Sequence, residues 1–264
     1  MDLKIKDKVA FISGSTAGIG FAIAKRLLTE GVRVVINGRT QQGVDKAVQE
    51  LQSLDKYYNV SGIAADFSKK EDVNKIFAAL PAVDILVNNA GIFEPKPFAD
   101  IPDEDWYRFF EVNVMSGVRL SRHYFPKMLD QSWGRIIFIS SESGVFIPDE
   151  MIHYGMTKTA QIAVSRGLAE LTKGTNVTVN AILPGPTLSK GVGGFIEDLS
   201  KAGNKSTEEV EADFFRNMRP TSLLQRFADV EEVADTVAYY VSALASATNG
   251  ASIRVEGGLI RSIL

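Results

Sequence analysis

The chain has 264 residues, of which 45% are hydrophobic and 23% charged, as expected for one soluble globular domain with a substantial core. Its net charge of −3 and its scattered Lys and Arg leave no basic stripe for nucleic acid or for a membrane surface. It has no cysteine and only 2 histidines, which excludes disulfide and thiolate chemistry and argues against a metal site or a Ser-His-Asp triad. No signal peptide and no membrane-spanning run is expected, so the predicted location is the cytoplasm.

Apolar runs of strand length alternate with longer amphipathic stretches along the whole chain. The predicted strands are residues 8–13, 33–38, 60–66, 83–89, 135–140, 176–183 and 251–256. The predicted helices are residues 18–31, 41–54, a stretch opened by a capping box at 68–71, 103–129, 151–173 and 229–243. This alternation predicts an α/β fold with a doubly wound parallel sheet and helices on both faces. No linker divides the chain, so residues 1–264 are predicted to form a single domain.

A glycine-rich turn, GSTAGIG, follows the first strand and opens the first helix. Glycine lets backbone N–H groups approach a phosphate closely, and the helix N-terminus adds positive potential. The turn therefore predicts a dinucleotide site, with a tight turn that needs glycine only for packing as the alternative. The residues assigned to the site from this turn are Gly14, Ser15, Thr16, Gly18, Ile19 and Gly20.

The second strand ends in Asn37, Gly38 and Arg39. An NAD site would have an acidic side chain here, bonded to the ribose hydroxyls. The missing acid and the Arg39 guanidinium favour NADP, because a 2′-phosphate accepts charge-assisted hydrogen bonds. NAD stays possible, and a solvated surface role for Arg39 is the alternative.

Small or polar residues also follow the later strands, at the edge where such sheets bind ligands. They are Asp66 and Phe67, then Asn88, Ala90 and Gly91, then Ser141, and then Pro184 and Gly185. Asp66 is predicted to meet the adenine amine, since Ser68 is expected to cap the next helix; a plain loop acid is the alternative. Asn113 lies inside a predicted helix, where Asn is unfavourable, so it indicates either a functional role or a bond to a neighbouring strand.

The stretch HYGMTK sets Tyr154 four residues before Lys158, which brings both to one face of a helix. Such a pair often only covers a helix surface with apolar bodies and polar tips. Its place beside the other strand-end residues favours catalysis instead. An ammonium about 4–5 Å away would supply about 3–4 kcal/mol at an effective dielectric near 20, enough to lower the Tyr154 pKa by roughly 2–3 units.

With GSTAGIG, NNAG, Asn113, Ser141 and YGMTK in this order, the chain resembles the short-chain dehydrogenases/reductases from about residue 8 to 258. At the second strand it resembles their NADP-preferring members. The resemblance implies a Rossmann fold with strand order 3-2-1-4-5-6-7, an NADP or NAD cofactor, and interconversion of a small-molecule carbonyl and a secondary alcohol. It also implies a homo-oligomer, either a tetramer or a dimer.

The resemblance implies a catalytic tetrad of Asn113, Ser141, Tyr154 and Lys158. Tyr154 would exchange a proton with the substrate oxygen, Ser141 would hydrogen-bond that oxygen, and Asn113 would hold a water linked to Lys158. Tyr154 and Lys158 would also contact the cofactor, and no metal is expected. The nicotinamide contacts would come from Pro184, Gly185, Thr187 and Ser189, although the family often has Thr where this chain has Ser189.

Three features of the sequence leave alternatives open. Glu142 places a charge near the pocket rim that no motif explains. Residues 186–228 are predicted to be irregular apart from one short helix after a capping box at 206–209, and to form a substrate lid or else a packed subdomain. The apolar residues assigned to this segment are Phe195, Ile196, Leu199, Phe214, Phe215 and Met218, with Phe93, Val145, Phe146 and Met151 across from them. A cofactor-bound regulator and a non-redox enzyme on the same fold are the other functional hypotheses.

Overall fold

In the computed structural model, seven parallel strands form one sheet in the order β3-β2-β1-β4-β5-β6-β7. The structure describes residues 1–203 and 205–263, without the side chains of residues 190, 195, 197–199, 201 and 202. The strands are β1 (Val9–Ile12), β2 (Arg33–Gly38), β3 (Val60–Ala64), β4 (Ile85–Asn88), β5 (Gly134–Ile139), β6 (Val177–Pro184) and β7 (Ser252–Val255). The predicted fold class and strand order are confirmed.

The α-helices cover both faces of this sheet. They are α1 (Gly18–Thr29), α2 (Gln41–Leu54), α3 (Lys70–Ala79), α4 (Asp103–Phe109), α5 (Ser116–Asp130), α6 (Ile152–Glu170), α7 (Lys190–Gly203), α8 (Thr207–Asn217) and α9 (Val230–Tyr240). In the part of the chain that the structure describes, no helix combines the length and apolarity needed to cross a bilayer.

The sheet separates two hydrophobic clusters, because successive side chains of a strand point to opposite faces. Ile12 of β1 packs in one cluster with Ile23 of α1 and Val237 of α9. Phe11, the neighbouring residue, packs in the other cluster with Tyr124 of α5. Burial on both faces explains why the strands appear in the sequence as continuous apolar runs.

The helix predicted for residues 103–129 contains a wider turn. α4 continues through a π turn (Phe110–Met115) into α5 without leaving helical backbone angles. Asn113 lies in this turn and is fully buried. The predicted helix is confirmed, and the π turn inside it was not predicted, because periodicity shows which face a residue occupies but not a local change from i−4 to i−5 hydrogen bonding.

Residues 185–228 are more regular than predicted, since α7 precedes the predicted helix α8. Three glycines, Gly191, Gly193 and Gly194, lower the helix propensity of α7 and explain why it was missed. The capping box of α8, in which Ser206 and Glu209 exchange hydrogen bonds, is confirmed.

α7 and α8 enclose a hydrophobic cluster of their own. It consists of Ile196, Val210, Phe215 and Phe227, with Val192 and Phe214 packed against it. The three phenylalanine rings have centroids 5.0–5.2 Å apart. The Phe195 and Leu199 side chains lie outside the described residues. The segment is therefore a packed unit, as the alternative proposed, which leaves its role as a lid open.

The capping box predicted at residues 68–71 is wrong. α3 begins at Lys70, and its N-cap residue, Lys69, makes no side-chain capping bond. Ser68 instead donates its N–H and O–H to one oxygen of Asp66, at 3.0 and 2.8 Å. The Ser68 hydroxyl therefore bonds the Asp66 carboxylate, two residues earlier, and does not cap the helix.

Asn37 fastens the glycine turn to the sheet. Its Oδ1 accepts the Gly14 N–H at 3.1 Å, and its Nδ2 donates to the carbonyls of Ile63 and Ala65 at 3.0 and 3.2 Å. Only 1% of Asn37 is exposed. One buried amide thus sets the distance between the first turn and β3.

We expect Asn37→Ala to lower the free energy of unfolding by roughly 2–4 kcal/mol, because it leaves buried N–H and C=O groups without partners. Urea denaturation measures the change. Asn59→Ala is the matched control, since Asn59 is exposed and should change stability by less than about 0.5 kcal/mol. Equal effects of the two substitutions would show that the Asn37 bonds do not hold the turn.

Candidate active site

A cleft of about 670 Å³ opens at the carboxyl ends of the strands. It brings together Ile19, Gly91, Ser141, Tyr154, Lys158, Pro184, Gly185, Thr187 and Ser189 from the predicted site. Gly14, Thr16, Arg39 and Asp66 follow β1, β2 and β3 on the same edge but do not line this cleft. The edge therefore has two parts, the cleft and an outer stretch on the side of β2 and β3.

The glycine turn has the conformation needed for its backbone to approach a phosphate group closely. Gly14 and Gly18 have φ angles of +60° and +58°, which favour glycine. A Cβ on Gly14 would lie 3.0 Å from the Ala90 Cα, and one on Gly20 would lie 2.6 Å from the Gly14 carbonyl oxygen. Gly20 is thus needed for packing, as the alternative proposed. Gly14 is exposed and Gly18 is half-buried, so both leave their part of the turn accessible to a ligand.

Four residues predicted for the site have side chains that bond or pack inside the protein and do not face the cleft. The Ser15 hydroxyl donates to the Ile12 carbonyl at 2.6 Å and accepts the Asn37 N–H at 2.9 Å. Asn88 donates to Ser121 at 3.2 Å, and Phe67 packs in the core. Together with Asn37, these residues leave only backbone groups for a ligand.

Asn89, which the sequence analysis passed over, lines the cleft in place of Asn88. Its Nδ2 donates to the carbonyls of Ser13 and Gly14 at 3.0 and 2.8 Å, so it also braces the glycine turn. The alternation of side chains along a strand separates the two asparagines, and that signal was present in the sequence.

Arg39 is exposed and makes no hydrogen bond or ion pair with any described residue. Gly38, just before it, has no room for a side chain, because a Cβ there would lie 2.5 Å from the Thr16 Cγ2. Asp66 is half-buried and uses one carboxylate oxygen on Ser68, so it is less free than predicted. The end of β2 thus offers an unpaired cation and excludes an acid at position 38 unless Thr16 shifts.

Lys158 is almost entirely buried, with 4% of its surface exposed. Its Nζ donates to the Ile139 carbonyl at 3.0 Å and to the Gln161 Oε1 at 3.1 Å, and it lies 5.5 Å from the centre of the Tyr154 ring. Burial lowers the pKa of Lys158 to about 8, although the Glu142 carboxylate opposes this shift. The ammonium therefore stays mostly charged at neutral pH and loses its proton in the mildly alkaline range.

The environment of Tyr154 raises its pKa above the usual value. Burial is the main cause, the Glu142 carboxylate adds to it, and a hydrogen-bonding contact with Ser141 opposes both. The net lowering expected from Lys158 is not seen, because desolvation of the phenolate and the charge of Glu142 both favour the neutral phenol. Tyr154 therefore holds its proton throughout the neutral range.

Asn113 fixes the strand end of β4 through its side chain. Its Nδ2 donates to the Ile92 carbonyl and to Thr157 at 3.0 Å each, and its Oδ1 accepts the Ile92 N–H at 2.8 Å. Asn113 thus bonds the loop that follows β4, whereas the alternative for Asn113 was a bond to a neighbouring strand.

Gln161 joins Asn113 to Lys158. Its Nε2 donates to the Asn113 carbonyl at 2.6 Å, while its Oε1 accepts from the Lys158 Nζ. Gln161 therefore links the two predicted catalytic residues, and the water predicted beside Asn113 stays a prediction. The sequence analysis missed Gln161, although a polar residue three positions after Lys158 on the same helix face was a usable signal.

Glu142 lies in the wall of the cleft and not at its rim, with only 5% of its surface exposed. Its Oε2 accepts hydrogen bonds from the Ser141 hydroxyl and from the N–H and hydroxyl of Ser143. Its Oε1 lies 3.6 Å from the Nε of Arg219, a buried residue that the sequence analysis missed. A buried ion pair thus adjoins Ser141.

Thr187 and Ser189 occupy the wall that follows β6. The Thr187 hydroxyl donates to the Gly185 carbonyl at 2.9 Å, and the Ser189 hydroxyl accepts the Val192 N–H at the start of α7. A Cβ on Gly18 would lie 3.3 Å from the Ser189 Cβ, so this wall touches the glycine turn.

Comparisons with known proteins identify the family of the chain. The family model "short chain dehydrogenase" matches residues 8–199. The uncharacterized oxidoreductase YvrD of Bacillus subtilis is 51% identical, and YvaG of the same organism is 48% identical, each over 100% of both chains. The crystal structure of L-sorbose reductase from Gluconobacter frateurii, complexed with NADPH and L-sorbose, is 30% identical with a TM-score of 0.93 over 100% of both chains. The chain therefore belongs to the short-chain dehydrogenase/reductase family and is an NAD(P)-dependent oxidoreductase.

Proposed function

We propose that this enzyme uses NADPH to reduce the carbonyl group of a small molecule to a secondary alcohol, with Tyr154 as the proton donor. The observation that supports this most is the Tyr154 phenol in the cleft, with the buried Lys158 ammonium 5.5 Å from the centre of its ring. A phenol that keeps its proton at neutral pH is suited to donate it to an oxygen that gains charge.

The proposed mechanism assigns one task to each residue. The bound nicotinamide supplies the hydride. Tyr154 donates its proton to the carbonyl oxygen, and Ser141 donates a hydrogen bond that stabilises the negative charge developing there. Lys158 lies close enough to stabilise the phenolate left behind, and Ile139 and Gln161 hold its ammonium in place.

The residues of the glycine turn and the neighbouring strand ends fit a dinucleotide. We assign the pyrophosphate to the exposed turn from Gly14 to Gly18 at the N-terminus of α1. We assign the 2′-phosphate to the unpaired Arg39, the adenine to Asp66 and the nicotinamide ribose to Lys158. The backbone at Ala90 and Gly91 and the wall from Pro184 to Ser189 would complete the site. NADPH in the structure of the L-sorbose reductase supports the choice of NADP.

We propose that residues 186–228 cover the substrate. Phe214 and Met218 line the cleft, and Phe214 also packs against the cluster enclosed by α7 and α8. This separate cluster would let the segment move as one unit. The expected homo-oligomer, a dimer or a tetramer, stays a prediction.

Tyr154→Phe should reduce kcat by several orders of magnitude and leave the Kd for NADPH nearly unchanged, because the hydroxyl is needed only for proton transfer. Steady-state kinetics and NADPH fluorescence titration measure the two quantities. Tyr107→Phe, at a position 73% exposed, is the control and should behave as wild type. Retention by Tyr154→Phe of more than about a tenth of the rate, a loss below about 1.4 kcal/mol, would exclude the proton-donor role.

NADPH should be preferred over NADH by roughly 10- to 100-fold in kcat/KM, because a charge-assisted hydrogen bond contributes about 1.5–3 kcal/mol. Arg39→Ala should remove most of this preference by weakening only NADPH binding. Arg33→Ala, an exposed arginine at the other end of β2, is the matched control. Equal kcat/KM values for the two cofactors in the wild type would show that Arg39 is a solvated surface residue that does not bind the 2′-phosphate.

The kcat/KM for reduction should be constant at neutral pH and fall as the pH rises through about 8, since the charged form of Lys158 exists below its lowered pKa. Circular dichroism at each pH checks that the fold is retained. A rate that is constant up to pH ~10, near the unperturbed lysine pKa, would show that the Lys158 charge is not needed.

A further inference from the structure

Glu142 lies beside the proposed catalytic residues and has no part in the proton transfer described above. We propose that it accepts a hydrogen bond from a hydroxyl on the carbon next to the substrate carbonyl, so that the enzyme selects neutral α-hydroxy ketones. This inference rests on the proposed carbonyl reduction, and it names the substrate class of that reaction.

The two oxygens of Glu142 differ in how fully they are used. Oε2 accepts from Ser141 and from two groups of Ser143. Oε1 accepts no hydrogen bond from any described residue, and the Arg219 Nε lies 3.6 Å away, beyond hydrogen-bond distance. A carboxylate oxygen has two lone pairs, so Oε1 can accept a hydrogen bond from a ligand in the cleft that Glu142 lines.

Arg219 holds the carboxylate in place instead of offering itself to a substrate. Its NH2 group donates to Glu150 at 3.0 Å and its NH1 group to the Met218 carbonyl at 2.9 Å. Only 7% of Arg219 is exposed. The guanidinium thus joins the end of α8 to the two carboxylates, and its charge is already paired with them.

The charged groups of this wall offer little to an anionic substrate. Glu142 and Glu150 are both ion-paired with Arg219. The Lys158 ammonium in the same cleft is held by the Ile139 carbonyl and Gln161. These four charges balance, so a carboxylate or phosphate on the substrate would gain no net attraction, while a hydroxyl would donate to Glu142 Oε1. The wall therefore fits a neutral polyhydroxylated chain better than a sugar acid.

The position of Glu142 fixes which hydroxyl it can reach. Its Oε2 is within hydrogen-bond distance of the Ser141 hydroxyl, which in the proposed mechanism also bonds the carbonyl oxygen. A hydroxyl on the adjacent carbon lies only about 3 Å from that carbonyl oxygen, the length of one hydrogen bond. Glu142 is therefore within reach of the neighbouring hydroxyl.

This arrangement also links substrate choice to Ser141. The single Ser141 proton is donated to Glu142 and must turn to the carbonyl oxygen during reduction. A substrate hydroxyl that donates to Glu142 Oε1 gives the carboxylate a new hydrogen bond when Ser141 turns away from Oε2. A simple ketone cannot do so and leaves the buried carboxylate with one hydrogen bond fewer.

The experiment compares hydroxyacetone with 2-butanone, which has a methyl group in place of the hydroxyl. We expect wild-type kcat/KM to favour hydroxyacetone by about 100-fold or more, because a site built for a hydroxyl rejects the analogue that lacks it. Glu142→Gln should reduce this ratio about tenfold by removing the charge from the hydrogen bond. Dihydroxyacetone should likewise be preferred over the anion hydroxypyruvate by tenfold or more.

Glu150→Gln is the matched control, because it removes the same charge from the same arginine but does not touch Ser141. We expect it to change the hydroxyacetone ratio less than threefold. The Tyr154→Phe variant with bound NADPH allows binding to be measured without turnover. Saturation-transfer NMR should show that it binds hydroxyacetone more tightly than 2-butanone, and dihydroxyacetone more tightly than hydroxypyruvate. These results together support the proposal.

Other outcomes overturn it. Equal reduction of hydroxyacetone and 2-butanone by the wild type would refute hydroxyl recognition and leave carbonyl reduction standing. If Glu142→Gln and Glu150→Gln reduced the preference for hydroxyacetone over 2-butanone equally, the preference would depend on Arg219 and not on a direct bond from the substrate hydroxyl to Glu142. Reduction of neither ketone, or of anything else in a broad carbonyl panel, would remove the proposed function together with this inference.

Discussion

Burial of the Lys158 ammonium is the constraint on which the rest of the site depends. A cation removed from water needs compensating acceptors, and here the Ile139 carbonyl at the end of β5 and the Gln161 side chain supply them. Gln161 in turn bonds the Asn113 carbonyl in the π turn. One buried charge thus fixes α6, the end of β5 and the wide turn before α5 relative to one another, and its pKa falls to about 8.

Glu142 supplies the opposite charge. It lies in the same cleft, opposes the fall of the Lys158 pKa and adds to the rise of the Tyr154 pKa. Both effects keep protons in the site at neutral pH, on the phenol and on the amine. A general acid must carry its proton before the reaction, so both effects are compatible with Tyr154 as the donor in the proposed reduction.

The sequence predicted what depends on period and order. Alternating apolar runs predicted the parallel sheet, and the four-residue spacing placed Tyr154 and Lys158 on one face of α6. The strand order was implied by the resemblance to the short-chain dehydrogenases/reductases. The sequence could not predict which of two nearby hydrogen-bond partners a polar side chain chooses. The Ser68 hydroxyl turned to Asp66 and not to the helix terminus. The direction of the Tyr154 pKa depended on burial and on Glu142, two quantities that spacing does not contain.

The central claim is that Tyr154 keeps its proton through the neutral range. Ultraviolet difference titration of the wild type against Tyr154→Phe isolates the ionisation of this one phenol. The account predicts no phenolate signal from Tyr154 below the ordinary tyrosine pKa of about 10. A phenolate that appears near pH 7 in the wild type and is absent from the variant would contradict it.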